Sequence, residues 1–417
     1  MRPKLAVTLI ALAALAAPGV ASANAITDWN RTMIDALETA NTPPPVAART
    51  AATVQAAVFD AVNGVNGHYR PIHMPPGAPP GASRPAAGIA AAHEALVALF
   101  PAQQAMLDER YSASLAQLGG GNDQSVARGL AWGTAVADEI LAWRAGDGFF
   151  AVLPPYVPAG VPGRWNYTPP NYGPPLFRQF ASMAPFALTS PAQFLPAGPP
   201  PLTSARYTQD FNEVKELGSV NSTARTPEET QTAMFWQDDT PAAMWNRVAD
   251  ELADSHGTGL TQEARLLAKM NVALADATIA IWNAKNVFDT WRPITAIQQA
   301  DSDGNPDTIA DPNWSPLLPT PQFQEYPSAH SGVSSAATGI LASFYGDETA
   351  FRVLSFHLQS VERDFTSFSA AVAQVVDARI FAGFHFRFSC DDAVVMSSEV
   401  ADYVDRTVAV RTRGGDD

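Results

Sequence analysis

The chain has 417 residues and a formal net charge of −15, with 26 lysines and arginines against 41 aspartates and glutamates. This acidic balance excludes a nucleic-acid partner, because binding to phosphate backbones needs a basic surface that replaces counterions. The single cysteine, Cys390, excludes an intramolecular disulfide, so we expect stability to come from the apolar core that a chain with 47% hydrophobic residues can bury.

The N-terminus has the pattern of a secretory signal. Residues 1–4 include two basic side chains, residues 5–17 form an apolar run, and Ala21-Ser22-Ala23 is an A-x-A cleavage site. We therefore predict that residues 1–23 are a signal peptide and that the protein is exported, either to the periplasm or as a secreted protein. No other segment reaches about 18 uninterrupted apolar residues, so we expect no stable membrane span.

Residues 24–150 are predicted to form an N-terminal helical part. Alanine-rich apolar periodicity indicates helices over 46–62, 87–100, 105–118 and 123–143. Residues 151–205 follow as a proline-rich wrapping segment, because 14 of the 35 prolines lie between Pro154 and Pro201 and that density excludes a long helix or a central strand. We expect its aromatic residues to anchor it to the surface: Trp165, Tyr167, Tyr172, Phe177 and Phe180. It serves either as a strap between helical bundles or as the mouth of an active site.

Residues 206–417 are predicted to form a C-terminal helical bundle. Helical patterns cover 207–217, 227–236, 241–255, 261–291, 331–345, 347–358, 368–384 and 391–410, whereas alternation typical of strands is scarce. The fold class predicted is therefore all-α, with a long proline-rich surface segment.

Three blocks in this half carry cations and imidazoles that an apolar core would not hold. Lys285 and Arg292 are seven residues apart, so both side chains project from one face of a helix that we expect to end near Pro293. The second block is Pro327-Ser328-Ala329-His330, where free N–H groups at the start of a helix favour an anion. Arg379 and His385 form the third block. Together these blocks predict an oxyanion site.

The three motifs, K-x6-RP, PSGH and R-x5-H, resemble the signature of the vanadium-dependent haloperoxidases and of the related type 2 phosphatidic acid phosphatase superfamily. Residues 284–293, 317–330 and 383–388 are similar to the exported bacterial branch, and the resemblance covers about residues 226–403. It implies a helical bundle of the vanadium chloroperoxidase and acid phosphatase type, which binds vanadate or, in the alternative reading, phosphate.

The resemblance also implies roles for the matching residues. His385 is the vanadium ligand, or the nucleophile if the enzyme is a phosphatase. Cofactor oxygens contact Lys285, Arg292, Arg379, the Ser328 hydroxyl and the Ala329 N–H. His330 is the acid–base group that activates peroxide or protonates a leaving alcohol.

Trp282 and Phe323 match positions that line a halide pocket in fungal chloroperoxidase-like members. An aromatic wall favours halide oxidation by hydrogen peroxide to hypohalous acid, since it partly dehydrates the halide. The alternative is a purely structural role, in which both rings are core aromatics. A soluble acid phosphatase acting on phosphate esters is the rival function, and a catalytically silent anion-binding protein is the third. The oligomeric state stays open.

The chain departs from the family pattern at three positions. Ala329 replaces the glycine of PSGH, and Ala378 stands where serine is usual. Ser389 stands where many members have an aspartate, four residues after the histidine ligand, so we expect either Asp391 or Asp392 to orient His385, or weaker support for that imidazole.

Overall fold

The computed structural model describes residues 25–118, 123–356, 358 and 361–412. The predicted signal peptide lies outside the described residues. Within them, no single helix is long and apolar enough to cross a membrane, although Arg84–Leu99 and Pro101–Gln117 together reach that length across a bend of 114°.

The described residues are mostly helical, which confirms the predicted fold class. The N-terminal helices are α1 Ala25–Thr39, α2 Pro44–Asn66, α3 Arg84–Leu99, α4 Gln104–Gln117 and α5 Gln124–Ala145. The later helices are α6 Ala205–Leu217, α7 Pro227–Phe235, α8 Pro241–Ser255, α9 Leu260–Phe288, α10 Pro293–Gln298, α11 Ala329–Tyr345, α12 Phe368–Phe381 and α13 Arg387–Thr407.

A two-stranded hairpin replaces the helix predicted over 347–358. Strand β1, Phe351–Leu354, pairs antiparallel with β2, Glu362–Phe365. Phe351 and Val353 are buried whereas their neighbours are exposed, a two-residue period that a helix cannot satisfy. The helix prediction was wrong because the alternation of buried and exposed residues that marks this strand covers only four residues, too few to stand out in the sequence.

Helix α9 lies at the centre of the molecule. It packs against α2 of the N-terminal part and against α11 and α13 of the C-terminal part, so one continuous apolar core joins both halves. Nearly every side chain from Ala264 to Lys285 on this helix is buried. A 29-residue helix surrounded in this way gives the residues at its C-terminal end a rigid support.

The proline-rich segment lies against α9 and contains only one short 3-10 turn, at Arg178–Ser182. Trp165 and Phe180 are fully buried anchors, as predicted, whereas Tyr172 is 64% exposed and anchors nothing. The buried carboxylate of Asp276 on α9 accepts three N–H groups of the segment, from Phe186 at 2.6 Å, Ala187 at 2.8 Å and Leu188 at 2.9 Å. This carboxylate attaches the segment to the central helix.

We expect Asp276→Ala to lower the free energy of unfolding by about 2–4 kcal/mol, because three buried N–H donors lose their acceptor. Urea denaturation measures this change. Asp402→Ala is the control, since Asp402 is an exposed partner of Arg406 on α13 and its loss should change stability by less than about 0.5 kcal/mol. Equal effects of the two substitutions would contradict the anchoring role.

Candidate active site

The three sequence motifs meet at the ends of four helices. Lys285 lies in the last turn of α9 and Arg292 is the N-cap of α10. Ser328 is the N-cap of α11, so Ala329 and His330 occupy the first turn of that helix. The last turn of α12 carries Arg379, and the chain then turns to bring in the imidazole of His385.

The spacing predicted that Lys285 and Arg292 project from one helix, and this prediction was wrong. Helix α9 ends at Phe288 because Asp289 adopts left-handed backbone geometry, with φ 49° and ψ 44°. The proline-rich segment holds the chain beyond this point, since the Trp165 N–H donates to Asp289 O at 2.7 Å. The two cations still converge, but a turn between two helices brings them together.

The turn that carries His385 depends on Gly383. This residue has φ +80°, and a Cβ atom there would lie 2.6 Å from the carbonyl oxygen of Gly218. Only glycine meets both constraints without strain. The tight turn allows Arg379 and His385 to reach the same site although they are not on one helical face.

The three cations are almost completely buried, with 1% of Lys285, 0% of Arg292 and 1% of Arg379 exposed. Among the described residues none of the three forms an ion pair within 4 Å. Lysine and arginine are rarely buried without such a partner, because removal of a charge from water costs several kcal/mol. This cluster therefore indicates a site for an anion.

Backbone carbonyl oxygens hold two of the cations in place. Lys285 Nζ donates to the oxygens of Gln324 and Glu325, both at 2.8 Å. Arg292 donates from Nε to Phe323 O at 2.8 Å and from Nη1 to Phe384 O at 3.0 Å. These contacts order the loops at 323–325 and 384–385 around the cations.

In the described part of the chain, three guanidinium nitrogens of this cation cluster have no hydrogen-bond acceptor. They are Nη2 of Arg292 and both Nε and Nη1 of Arg379. The remaining Arg379 nitrogen, Nη2, donates to Gln237 Oε1 at 3.0 Å. Orphan donors on two buried guanidiniums fit the oxygens of a tetrahedral anion such as vanadate or phosphate, which accepts several hydrogen bonds at once.

The contacts of His385 define its tautomer. Arg292 Nη1 lies 3.2 Å from Nε2, and a guanidinium can only donate, so Nε2 carries the lone pair. Nδ1 then carries the proton and donates it to Glu325 Oε1 at 2.8 Å. Burial, together with the charges of Arg292 and Lys285, places the pKa of His385 well below its ordinary value. His385 is thus a neutral imidazole, the form needed by a metal ligand or a nucleophile.

Glu325 is the functional residue that the sequence analysis missed. Its buried carboxylate also accepts the Phe386 N–H at 3.2 Å, so it fixes both the ring and the backbone beside it. Burial raises the pKa of Glu325 to about 7, although Lys285 and Arg292 act in the opposite direction. The available signal was an acidic residue three positions before Ser328, next to a motif predicted to bind an anion.

The expectation that Asp391 or Asp392 orients His385 was wrong. The Asp392 carboxylate instead accepts the hydroxyl of Tyr326 at 2.8 Å and pairs with Arg206 at 3.1 Å. Ser389 contributes through its backbone, since its carbonyl oxygen accepts the Ser328 N–H at 3.1 Å. The loss of the family aspartate is offset from the other side of the imidazole, by Glu325.

We call the cluster of Lys285, Arg292, Arg379 and His385 the cage. Helix α11 begins beside it, at Ser328 and Ala329. The Ser328 hydroxyl makes no capping bond to its own helix and instead forms a hydrogen bond with the Ser331 hydroxyl at 3.0 Å. The Cys390 thiol lies next to both serines, and burial raises its pKa to about 12, which keeps it protonated. Ala329 lines an apolar pocket.

That pocket has a volume of about 70 Å³ and adjoins the cage. Trp282 and Phe323 line it with their ring centroids 5.3 Å apart, and Phe177 of the proline-rich segment adds a third wall. The Phe323 ring also lies 5.2 Å from Lys285 Nζ and 4.9 Å from the Arg292 guanidinium carbon, so it separates the pocket from the cations. Both rings predicted to line a halide pocket therefore lie beside the site.

His330 is shared by this pocket and by a polar cavity of about 280 Å³. Burial and the charges of Arg379, Arg292 and Lys285 place the pKa of His330 well below its ordinary value. The imidazole is therefore neutral and able to accept a proton. Its position between the cage and both cavities suits an acid–base group.

We expect Glu325→Ala to weaken orthovanadate binding by about 10- to 100-fold, because His385 loses the acceptor that fixes its tautomer. Glu325→Gln keeps an oxygen near Nδ1 and should lose less. Equilibrium dialysis against orthovanadate in phosphate-free buffer measures both affinities. Removal of the carboxylate also makes the cage more positive, so unchanged or tighter binding by the alanine variant would show that charge outweighs orientation.

Comparison with known proteins agrees with this geometry. Residues 265–414 match the family model of the VCPO second helical-bundle domain. The vanadium chloroperoxidase of Curvularia inaequalis is 29% identical over 183 residues, which cover 36% of this chain and 29% of that protein. The match thus spans less than a third of that curated relative.

Similarity to solved structures extends over most of the chain. The crystal structure of the first bacterial vanadium-dependent iodoperoxidase has 26% sequence identity and a TM-score of 0.79, with 93% of this chain and 96% of that chain covered. A holo-type bacterial vanadium-dependent chloroperoxidase has 17% identity and a TM-score of 0.69, with 87% and 92% covered, and shows the fold alone. The chain is thus similar to vanadium-dependent haloperoxidases in its overall fold and in the helical-bundle domain at residues 265–414.

Proposed function

We propose that the protein uses vanadate to oxidise a halide with hydrogen peroxide, according to H2O2 + X⁻ + H⁺ → HOX + H2O. The observation that carries this proposal is the aromatic pocket at Trp282 and Phe323, which opens beside the cage and next to His330. A hydrolase that acts on a phosphate ester has no need for an apolar wall at this position. The similarity to a bacterial iodoperoxidase supports the same reaction class.

The residues of the cage fit vanadate. His385 Nε2 would bind the metal, and the orphan N–H groups of Arg292 and Arg379 would bind its oxygens together with Lys285 and Ser328. When bound, vanadate supplies a Lewis-acid centre that activates peroxide without a change in its own oxidation state. The protein would supply orientation and positive charge from buried side chains.

His330 would move the protons of the reaction. A neutral imidazole accepts a proton from hydrogen peroxide as the latter binds, and returns it to the oxygen that leaves as water. The three nearby cations favour this neutral state before peroxide arrives. The polar cavity beside His330 offers a path for both peroxide and water.

The aromatic pocket would hold the halide. Transfer of a halide from water to an apolar wall removes part of its hydration and makes its electrons more available for oxidation. The positive charges of Lys285 and Arg292 would limit the free-energy cost of dehydrating the halide, because they lie 5.2 Å and 4.9 Å from the centre of the Phe323 ring that lines the pocket. A large and weakly hydrated halide such as iodide suits this environment best.

We expect the purified protein to oxidise iodide or bromide with hydrogen peroxide only after orthovanadate is added, and His385→Ala to abolish this activity. His256→Ala is the matched control, because His256 is exposed at the end of α8 and lies outside the cage. An aryl phosphate assay runs in parallel. Ester hydrolysis inhibited by vanadate, without oxidation, would identify a phosphatase with a His385 nucleophile, and inactivity in both assays would indicate an anion-binding protein.

We expect the double variant Trp282→Ser and Phe323→Ser to lower the rate of halide oxidation by about tenfold or more, because the halide stays hydrated. Tyr172→Ser removes an exposed aromatic ring from the proline-rich segment and should have no effect. Initial rates of halide oxidation are measured at saturating peroxide, and orthovanadate affinity is measured separately to check that the variants still bind vanadate. Full oxidation activity in the double variant would contradict the role of the pocket.

A further inference from the structure

Arg379 differs from the other buried arginines in its partner. Arg49 and Arg144 share the Asp147 carboxylate, each at 2.8 Å, and Arg292 lies close enough to Glu325 for this carboxylate to raise its pKa. The Arg379 guanidinium donates a single hydrogen bond to the described residues, and the acceptor is the neutral amide of Gln237. Each of the other three buried arginines thus has a carboxylate in contact or nearby, whereas the partner of Arg379 among the described residues is an uncharged amide.

Gln237 is well placed to hold Arg379 from the solvent side. It lies between α7 and α8, is exposed, and lines the polar cavity together with His330. The next two residues are carboxylates but they contact other groups: Asp238 accepts from Ser355 and Leu358, and Asp239 pairs with Arg247. Of these three successive polar residues, Gln237 accepts the hydrogen bond from Arg379.

An amide and a carboxylate at this position would have different consequences. Either oxygen can accept from Arg379 Nη2 and fix the guanidinium plane. A carboxylate would also neutralise the guanidinium, and it would repel any anion bound on the opposite side. The amide fixes the geometry and leaves the full positive charge directed at the ligand.

We propose that Gln237 is a positioning residue that fixes the Arg379 guanidinium and, because it is uncharged, sets the affinity of the cage for an oxyanion. This inference rests on the proposed function only in that the cage binds vanadate or phosphate. Gln237 needs no contact with the ligand, since it acts through Arg379.

Gln237→Glu tests the charge and Gln237→Ala tests the contact. With the full chain free of oxyanion, we expect the Glu variant to have a higher Tm than the wild type, because a buried cation gains a counter-charge. Its affinity for inorganic phosphate and for orthovanadate, measured by titration calorimetry, should fall about 10- to 100-fold, the effect of one added charge a few ångströms from the ligand at an effective dielectric constant near 20. The Ala variant should have a lower Tm and a smaller loss of affinity, about threefold to tenfold.

Gln231→Glu is the matched control, since it adds the same charge on α7 beside Arg363, which is not part of the cage. It should leave both affinities unchanged. A purely structural role for Gln237 predicts the opposite order, with Glu close to wild type and Ala worse, and this order would overturn the inference.

Failure of the proposed function gives a different result. If the wild type binds neither anion, the cage is not an oxyanion site and the inference falls with it. If the wild type binds both and all three variants match it, the inference alone is wrong.

Discussion

The structure of the site depends on the burial of three cations that have no protein anion at hydrogen-bond distance among the described residues. Desolvation of each charge is expensive, and the surrounding chain offsets part of this cost with backbone carbonyl oxygens. Those carbonyls belong to residues 323–325 and 384, so the cations also fix the loops that carry Phe323 and His385. The remaining desolvation cost of the buried charges shapes the site and favours the binding of an anion there.

Helix direction supports this arrangement. Lys285 and Arg379 occupy the last turns of α9 and α12, where the negative end of a helix dipole favours a cation. Helix α11 points its N-terminus into the cage and adds free N–H groups. Two of the three cations therefore stand at helix C-termini and the anion site faces the N-terminus of α11, whereas Arg292 is the N-cap of α10 and gains no such support.

Much of this was predictable from the sequence. Apolar periodicity located the helices, since a buried helix must repeat its contacts every turn, and the three ordered motifs located the cage. The convergence of Lys285 and Arg292 was predicted for a wrong reason. Local spacing cannot reveal that Asp289 ends the helix, because the proline-rich segment that fixes this turn lies more than 120 residues away in the sequence.

Glu325 and Gln237 escaped prediction because their roles exist only after folding. Each lies far along the chain from its partner, with 60 residues between Glu325 and His385 and 142 between Gln237 and Arg379. The family pattern directed attention to the residues after His385, where the usual aspartate is missing. A hydrogen bond to an imidazole requires only an acceptor at the right distance, and a different loop provides it.

The pocket and the cage are built from different parts of the fold. Cage residues sit on helix ends rooted in the core, whereas Phe177, one wall of the pocket, belongs to an irregular segment attached to α9 through Asp276. Substitutions in this segment can reshape the pocket while the cations stay in place. Evolution, or a protein engineer, can therefore alter the shape of the apolar pocket without rebuilding the cation cluster.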